Sequence, residues 1–416
     1  MSVALGVPHP LVVRTVETGD SGDLLRRLPA PSALSWVHRG EGLVAWGEAA
    51  TLTLPPGPDR FAAAERWLAA LFGAAEVRDE VGVPGSGPVA FASFTYDPRS
   101  GGSRVIVPRM VIGRGGGRAW QTTIGDGGDP LVLMQPLSEP TGVRWSDGAL
   151  PAPRWETAVA TAVRRIGSGE PGRRDLDKVV FARDLYAVAE RRIDERVLLQ
   201  RLAGRYPDCY TFACAGLVGA TPELLLRRVG DTVTSLVLAG SRARGATCAE
   251  DEKLGGELLG SAKDQEEHRY AADSVRDALA PLCASIDVQD EPELLALANV
   301  QHLATPVRGE LAPGTTTLHA LDAVHPSAAV CGTPTPLANE TIWELEGMDR
   351  GRYAGPVGWI DADGNGEWGI ALRCAQVDEA SARLFAGCGI VADSDPAAEL
   401  AEARAKFRAM QYALEG

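Results

Sequence analysis

Glu399, Glu402 and Lys406 stand three and four residues apart in the run ELAEARAK. In a helix of about 3.6 residues per turn, those steps bring the three side chains onto one face. Asp393, Ser394 and Asp395 supply an N-cap for that helix, and Pro396 suits its first position. Such a face can be solvated and laced by an ion pair between Glu402 and Lys406. It can also offer paired carboxylates to a hard cation, with a lysine beside them for an anionic ligand. A second acidic helix begins in SAKDQEEHRYAADSVRDAL, where Asp264 and Glu267 lie one turn apart. Two helices giving one or two carboxylates each, completed by water and ligand oxygens to about six donors, suit Mg2+. On pattern alone the solvated reading is the simpler one for both helices, and His268 reads equally as an ordinary polar helix residue.

These helices need a scaffold. Residues 1 to about 150 read as short strands joined by Gly/Pro turns, in EGLVAWGEAATLTL, GPVAFASFTYD, SRVIVPRMVIGR and AWQTTIG. GRGGGR at 113–118 imitates a phosphate loop, yet it has no P-loop lysine and opens no helix, so it predicts a hairpin turn. An amphipathic helix is expected from near Trp155, with Val159, Ala162, Val163 and Ile166 on one side. After it come a strand in KVVFARDLYAV, a helix in ERVLLQRLAGRY, and strands in CYTFACAG and ELLLRRVGDTVTSLVLAG, the last folding back at Val229-Gly230-Asp231. Further helices are expected over 261–281, 315–323, 337–349 and 396–413. DADGNGEWGIAL (361–372) starts like an EF-hand loop, with Asp361, Asp363 and Asn365. It places Leu372 where a bidentate Glu is required, so it too predicts a hairpin. EPTGVRWSDGALPAPRWE is the candidate seam. Strands and helices interleaved without regular βαβ spacing argue for an α+β fold.

The 416 residues suffice for two or three domains or for one large sheet-based domain. A formal charge of −14 without any Lys/Arg block makes nucleic acid and anionic membrane surfaces unexpected partners. An anionic substrate would then need local cations or a metal. The seven cysteines include no CxxC pair and sit in apolar runs, which favours reduced, buried thiols over disulfides or zinc. The start, MSVALGVPHP, lacks a charged n-region and an apolar core, and no apolar run approaches membrane-spanning length; a cytoplasmic location is the expectation.

Eight segments, in order, carry a resemblance: DKVVFAR (177–183), TPELLLRR (221–228), LAGSRARG (238–245), KDQEEH (263–268), RYAGPVGWID (352–361), ALRCAQV (371–377), AGCGIVADSDP (386–396) and ELAEARAK (399–406). Together they resemble the chorismate-utilising enzymes across about residues 150–416, while the N-terminal third resembles them only loosely. The resemblance implies one domain over 1–416, with family-variable strands in 1–150 and the catalytic portion in 151–416. Two large, mostly antiparallel sheets would pack together under outer helices, around a cleft holding Mg2+ and chorismate. Glu267 and Glu402 then resemble metal ligands, and Asp264 and Glu399 supporting acids. Lys406 would neutralise a substrate carboxylate, and Arg373 would meet a carboxylate in paired fashion. Tyr353 and the backbone of Gly240 and Gly387 would complete the cradle, and His302 resembles a histidine near the substrate ring.

Members of the family differ in their nucleophile. Those that add ammonia usually carry Gln where this chain has Lys178, and those that activate water carry Lys. A lysine serves as a general base only if enough of it is neutral, so its pKa must fall from ~10.4 toward ~7–8. Glu223 matches the acid that protonates the leaving C4 hydroxyl, a role that needs a raised carboxyl pKa. Without the resemblance, Lys178 would read as a strand-edge residue and Glu223 as a turn residue. Ala239 occupies the place of the nucleophilic lysine of aminodeoxychorismate synthases, so that covalent route lacks its nucleophile. In HPSAAVCGTPTP (325–336), Ala329 and Thr335 stand where pyruvate-releasing relatives usually carry Thr and Lys. The resemblance thus implies the isochorismate synthase branch, feeding menaquinone or a siderophore and needing no glutaminase subunit. Salicylate synthase, anthranilate synthase and a silent chorismate-binding protein are the alternatives, and Tyr353 also occurs in lyase-competent relatives.

Overall fold

The structure, a computed structural model, describes residues 10–20, 22–125, 133–166, 176–297 and 300–416. Residues 1–9, most of the start read above for a leader, lie outside the described residues.

Two sheets organise the chain. The larger, of thirteen strands among the described residues, runs in the order Arg144–Asp147, Lys178–Val188, Ser381–Ile390, Cys374–Asp378, Leu217–Thr221, Tyr210–Cys214, Leu34–His38, Glu41–Trp46, Met110–Gly115, Arg118–Gly125, Val12–Thr18 and Glu76–Asp79, with Gly332–Thr333 as a short extra partner of Lys178–Val188. The second, of ten strands, runs Cys283–Val288, Val300–Leu311, Thr232–Ala243, Leu224–Val229, Gly366–Ile370, Pro356–Asp361, Val89–Ser93, Ser103–Val107 and Ala50–Leu54, with Glu293–Ala296 beside Val300–Leu311. Among the described residues the one parallel pairing is Val12–Thr18 with Glu76–Asp79, at an edge. The mostly antiparallel α+β architecture expected from sequence is therefore what the chain adopts.

Trp36, Phe91, Phe94, Phe181, Phe212 and Trp368 are fully buried in the core. A second apolar cluster lies under the helices Glu195–Arg205 and Pro396–Glu415. The expected helices appear as Ala152–Ile166, Ala262–Leu279, Thr317–Val324, Thr335–Glu346 and Pro396–Glu415. Their starts follow the local chemistry: the Ser261 hydroxyl accepts from the Asp264 N–H at 3.3 Å, and Asp395 accepts from the Ala398 N–H at 2.8 Å ahead of Pro396. The hairpins at 113–118, 229–231 and 361–366 also form. In the last, the Asp361 carboxylate accepts from the backbone of Asp363 and Asn365, so the acidic loop is a turn device.

Two helices escaped the sequence reading. Arg60–Gly73 interrupts the N-terminal strands, and Cys248–Leu259 precedes the first acidic helix. The candidate seam instead contributes the strand Arg144–Asp147, paired with Leu185–Val188, and the start of the helix Ala152–Ile166. EGLVAWGEAATLTL splits between the two sheets, Glu41–Trp46 going to one and Ala50–Leu54 to the other.

Candidate active site

Lys178 begins a long strand that pairs along Val179–Val188 with Ser381–Ile390. Its side chain is fully buried, and Nζ stands 3.2 Å from Glu267 Oε1 without any hydrogen bond of good geometry. Gly389, across the ladder, makes the contact possible: a Cβ there would collide with Glu267 Oε1 and lie 3.1 Å from Lys178 Cε. Lys178 is thus set just behind the wall of a cleft whose lining includes Val180, Gly389 and Glu267.

The same cleft gathers Glu223, Gly240, Asp264, His302, Ala329, Tyr353, Arg373, Gly387, Glu399, Glu402 and Lys406, each singled out from sequence. The helix Ala262–Leu279 brings Asp264 and Glu267, and the helix Pro396–Glu415 brings Glu399, Glu402 and Lys406. The ion pair of the simpler reading exists, with Lys406 Nζ 2.6 Å from Glu402 Oε1, but its face lines the cleft, and Glu399 is buried. Lys406 also donates to the Gly387 carbonyl at 2.8 Å. Gly240 occupies a bulge between Ala239 and Ser241 at φ +70°, a left-handed conformation that favours glycine, and its carbonyl faces His302 Nδ1 at 3.2 Å. Because a carbonyl only accepts, Nδ1 carries the proton and Nε2 is an acceptor, buried and without a partner. Burial and the nearby Arg373 charge push His302 down to about 3, so the ring is neutral. The Arg373 guanidinium reaches the cleft wall without a hydrogen bond or ion pair to any described side chain. Tyr353 stacks on Phe385 at 4.8 Å between ring centres, which fixes its ring at the wall.

Electrostatics separate the carboxyls. Burial dominates at Glu223 and pushes its pKa up to about 8, against the pull of Lys178 and Arg373. Burial also raises Glu399, helped by Glu402. At Glu402 burial is the largest influence and works upward, but Lys406, Arg373 and Lys263 together outweigh it and hold the carboxyl below its ordinary value. Ser394 donates to Glu399 Oε1 at 2.8 Å, and Lys263 Nζ lies 3.5 Å from the same oxygen. Arg242 stands 3.8 Å from Asp264 Oδ2. Cys388 brings Sγ within 4.8 Å of ligand oxygens of Glu399 and Glu402, yet burial raises its thiol and it donates to the Glu399 carbonyl. The remaining donors are carboxylate oxygens, the ligand chemistry of a hard divalent cation.

Sequence reasoning passed over Lys263 and Arg350, both on the cleft wall. Lys263 lay inside a quoted motif, next to Asp264; Arg350 lay outside every quoted motif. His268 is structural: its Nδ1 lies 3.2 Å from the Ala239 carbonyl and its Nε2 2.7 Å from Thr305 Oγ1. All seven cysteines are free thiols, five of them buried. No described helix is long and apolar enough to cross a membrane.

A family model described as chorismate binding enzyme matches residues 137–415. Isochorismate synthase DhbC of Bacillus subtilis is 42% identical over 272 residues, 62% of this chain and 67% of that protein. The structure of a candidate 2,3-dihydroxybenzoate-specific isochorismate synthase from Bacillus anthracis superposes with a TM-score of 0.76 at 31% identity, covering 94% of this chain and 98% of that one. MenF, the menaquinone-specific isochorismate synthase of Escherichia coli, gives 0.79 at 24% identity over 99% and 97%, a likeness of fold. Two packed sheets, two acidic helices meeting over one cleft and a family match across both helices lead to one conclusion: the chain belongs to the chorismate binding enzyme family.

Proposed function

We propose that the chain is an isochorismate synthase, converting chorismate to isochorismate with Mg2+ held by Glu267 and Glu402 and supported by Asp264 and Glu399. The observation that carries this reading is the set of unsatisfied polar groups around one cleft: Lys178 Nζ and His302 Nε2 are buried without hydrogen-bond partners, and Arg373 is unpaired among the described residues. Buried polar groups are normally satisfied, so Lys178 Nζ and His302 Nε2 are open to a ligand, and the half-buried Arg373 faces the same cleft. The family match and the identity to DhbC support the substrate.

Arg373 and Lys406 would hold the carboxylates of the substrate, with Tyr353 and the backbone of Gly240 and Gly387 shaping the cradle. A bound divalent cation would supply neutralising charge beside a substrate carboxylate. Lys178 takes a proton from a water lodged at its side of the cleft as that water attacks C2. The ring double bonds shift, and the C4–O bond breaks. Glu223, protonated in the neutral range, gives its proton to the departing hydroxyl, which leaves as water. His302 Nε2 can accept a hydrogen bond from a ring hydroxyl. Ala329, on the lining, leaves the product without the threonine of pyruvate-releasing relatives. The reading calls for no glutaminase, nucleic acid or membrane partner, and its product serves menaquinone or siderophore synthesis in the cytoplasm.

The test is incubation with chorismate and Mg2+ in the absence of ammonia, products being identified by chromatography and proton NMR beside an EDTA control. Isochorismate without stoichiometric pyruvate is expected, lost on chelation and restored by Mg2+. Salicylate with pyruvate would assign the chain to the lyase branch instead.

A further inference from the structure

Lys178–Val188 is paired on one side by Ser381–Ile390, while on its other side the short partner Gly332–Thr333 covers only Lys178 and Val179, and Arg144–Asp147 covers only Leu185–Val188. One more ladder bond follows, from Val180 N to the Cys331 carbonyl at 2.7 Å. Beyond it the exposed rungs are met by side chains. The Val180 carbonyl accepts from Arg350 Nη2 at 2.6 Å, and the Ala182 N–H donates to Glu346 Oε1 at 2.7 Å. Arg350 and Glu346 are themselves joined, Nε to Oε2 at 2.9 Å and Nη2 to Oε1. Both are buried, at 4% and 0% exposure. Arg350 Nη1 donates to the Val330 carbonyl at 2.9 Å, and its plane lies 4.4 Å over the Tyr96 ring. One guanidinium therefore fastens the strand of Lys178 to the segment of Ala329, and it lines the cleft as it does so.

We infer that the buried pair Glu346–Arg350 stands in for a missing strand and positions the catalytic edge, fixing Lys178 relative to the Ala329–Val330 segment. This rests on the isochorismate synthase reading of the same site. Val180 and Lys178 point to one face of the strand, so the peptide that Arg350 holds is two residues from the base. A buried ion pair is no better for net stability than a well-packed apolar pair, so stability alone does not account for three directed bonds to two catalytic segments. The planar fork of arginine reaches Glu346, Val330 and Val180 from three separate nitrogens, whereas a lysine ammonium offers its donors from a single point. Arg350 and Glu346 are positioning residues and need not touch the substrate.

The experiment compares wild type with Arg350→Lys in chorismate turnover and in amide hydrogen exchange followed by mass spectrometry. Expected for Arg350→Lys is a kcat at least tenfold lower with KM within twofold of wild type. Faster exchange should be confined to peptides covering 178–182 and 327–333, with Gly366–Ile370 unchanged. Unchanged kcat, or exchange that rises uniformly across the chain with kcat per folded molecule intact, overturns the positioning role. Should Arg350→Lys not fold, Glu346→Gln is judged by the same two criteria. If wild type itself fails to convert chorismate, the proposed function falls, and the exchange data still decide the clamp: unaltered protection at 178–182 and 327–333 would overturn it.

Discussion

Glu223 sits near Lys178 and Arg373, and either cation alone would draw a carboxyl down; burial wins, and the group is pushed up to about 8. An acid that must be protonated to work loses activity as its proton leaves, so chorismate turnover should fall as pH rises through about 8, with a slope of one proton on that limb. Glu223→Gln should remove this limb along with at least ~100-fold of kcat, the usual scale for a general acid. Retention of near-normal turnover by Glu223→Gln or by Lys178→Ala, measured on protein of unchanged circular dichroism, would refute their roles. The same shift bears on stability with a defined sign. Between the ordinary carboxyl value of 4.5 and about 8 the folded chain binds the Glu223 proton and the unfolded chain does not, so this group's contribution falls as pH rises across that window. Glu223→Gln should flatten the pH dependence of the melting temperature there. The resemblance carried by TPELLLRR marked Glu223 as a candidate, but its burial depends on strands far apart in the chain and could not be read locally.

The helices that present the acids were legible because their signals are local: Ser261 and Asp395 as caps, Pro396 at the start, and charges at steps of three and four. Cys248–Leu259 was not, because Gly255 and Gly256 lower its intrinsic propensity. The cause is tertiary, since a Cβ at Gly255 would run into the side chains of Leu294 and Gln301. Arg60–Gly73 was hidden by the strand signals on either side of it. The Glu346–Arg350 pair was hidden in another way: Arg350 lies beyond the end of the helix Thr335–Glu346, and nothing local marks either side chain as buried. A strand position gives a sharper test. Gly389→Ala adds one methyl group between Glu267 and Lys178, and overpacking of this kind costs about 1–3 kcal/mol. Turnover should drop at least tenfold and the melting temperature only modestly; normal kcat in Gly389→Ala would show that the lysine–glutamate contact is dispensable.

At the scale of the whole molecule, strands from the first third lie inside both sheets. Leu34–His38 pairs with Tyr210–Cys214, and Val89–Ser93 with Pro356–Asp361. A loosely matching N-terminal region therefore shares ladders with the motif-bearing part, which sequence alone, read as a row of short strands, could not disclose. A fragment beginning at residue 151 should lack a cooperative melting transition and elute as aggregate on size exclusion, whereas two independent transitions in the full chain would indicate separable units. Trp368, fully buried on the strand beside Pro356–Asp361 and near Phe94, gives a milder probe: Trp368→Ala should cost ~3–5 kcal/mol. The ladder between Val179 and Ile390 has a further consequence for how the protein is made. On the ribosome the 11-residue strand Lys178–Val188 emerges long before Ser381–Ile390, so its β-branched, aromatic edge on that side waits unpaired while more than half of the catalytic portion is still being translated. Such late closure slows folding and leaves nascent chains prone to association. Soluble yield should accordingly rise with slower translation or cooler growth, with no change in the stability of the finished enzyme.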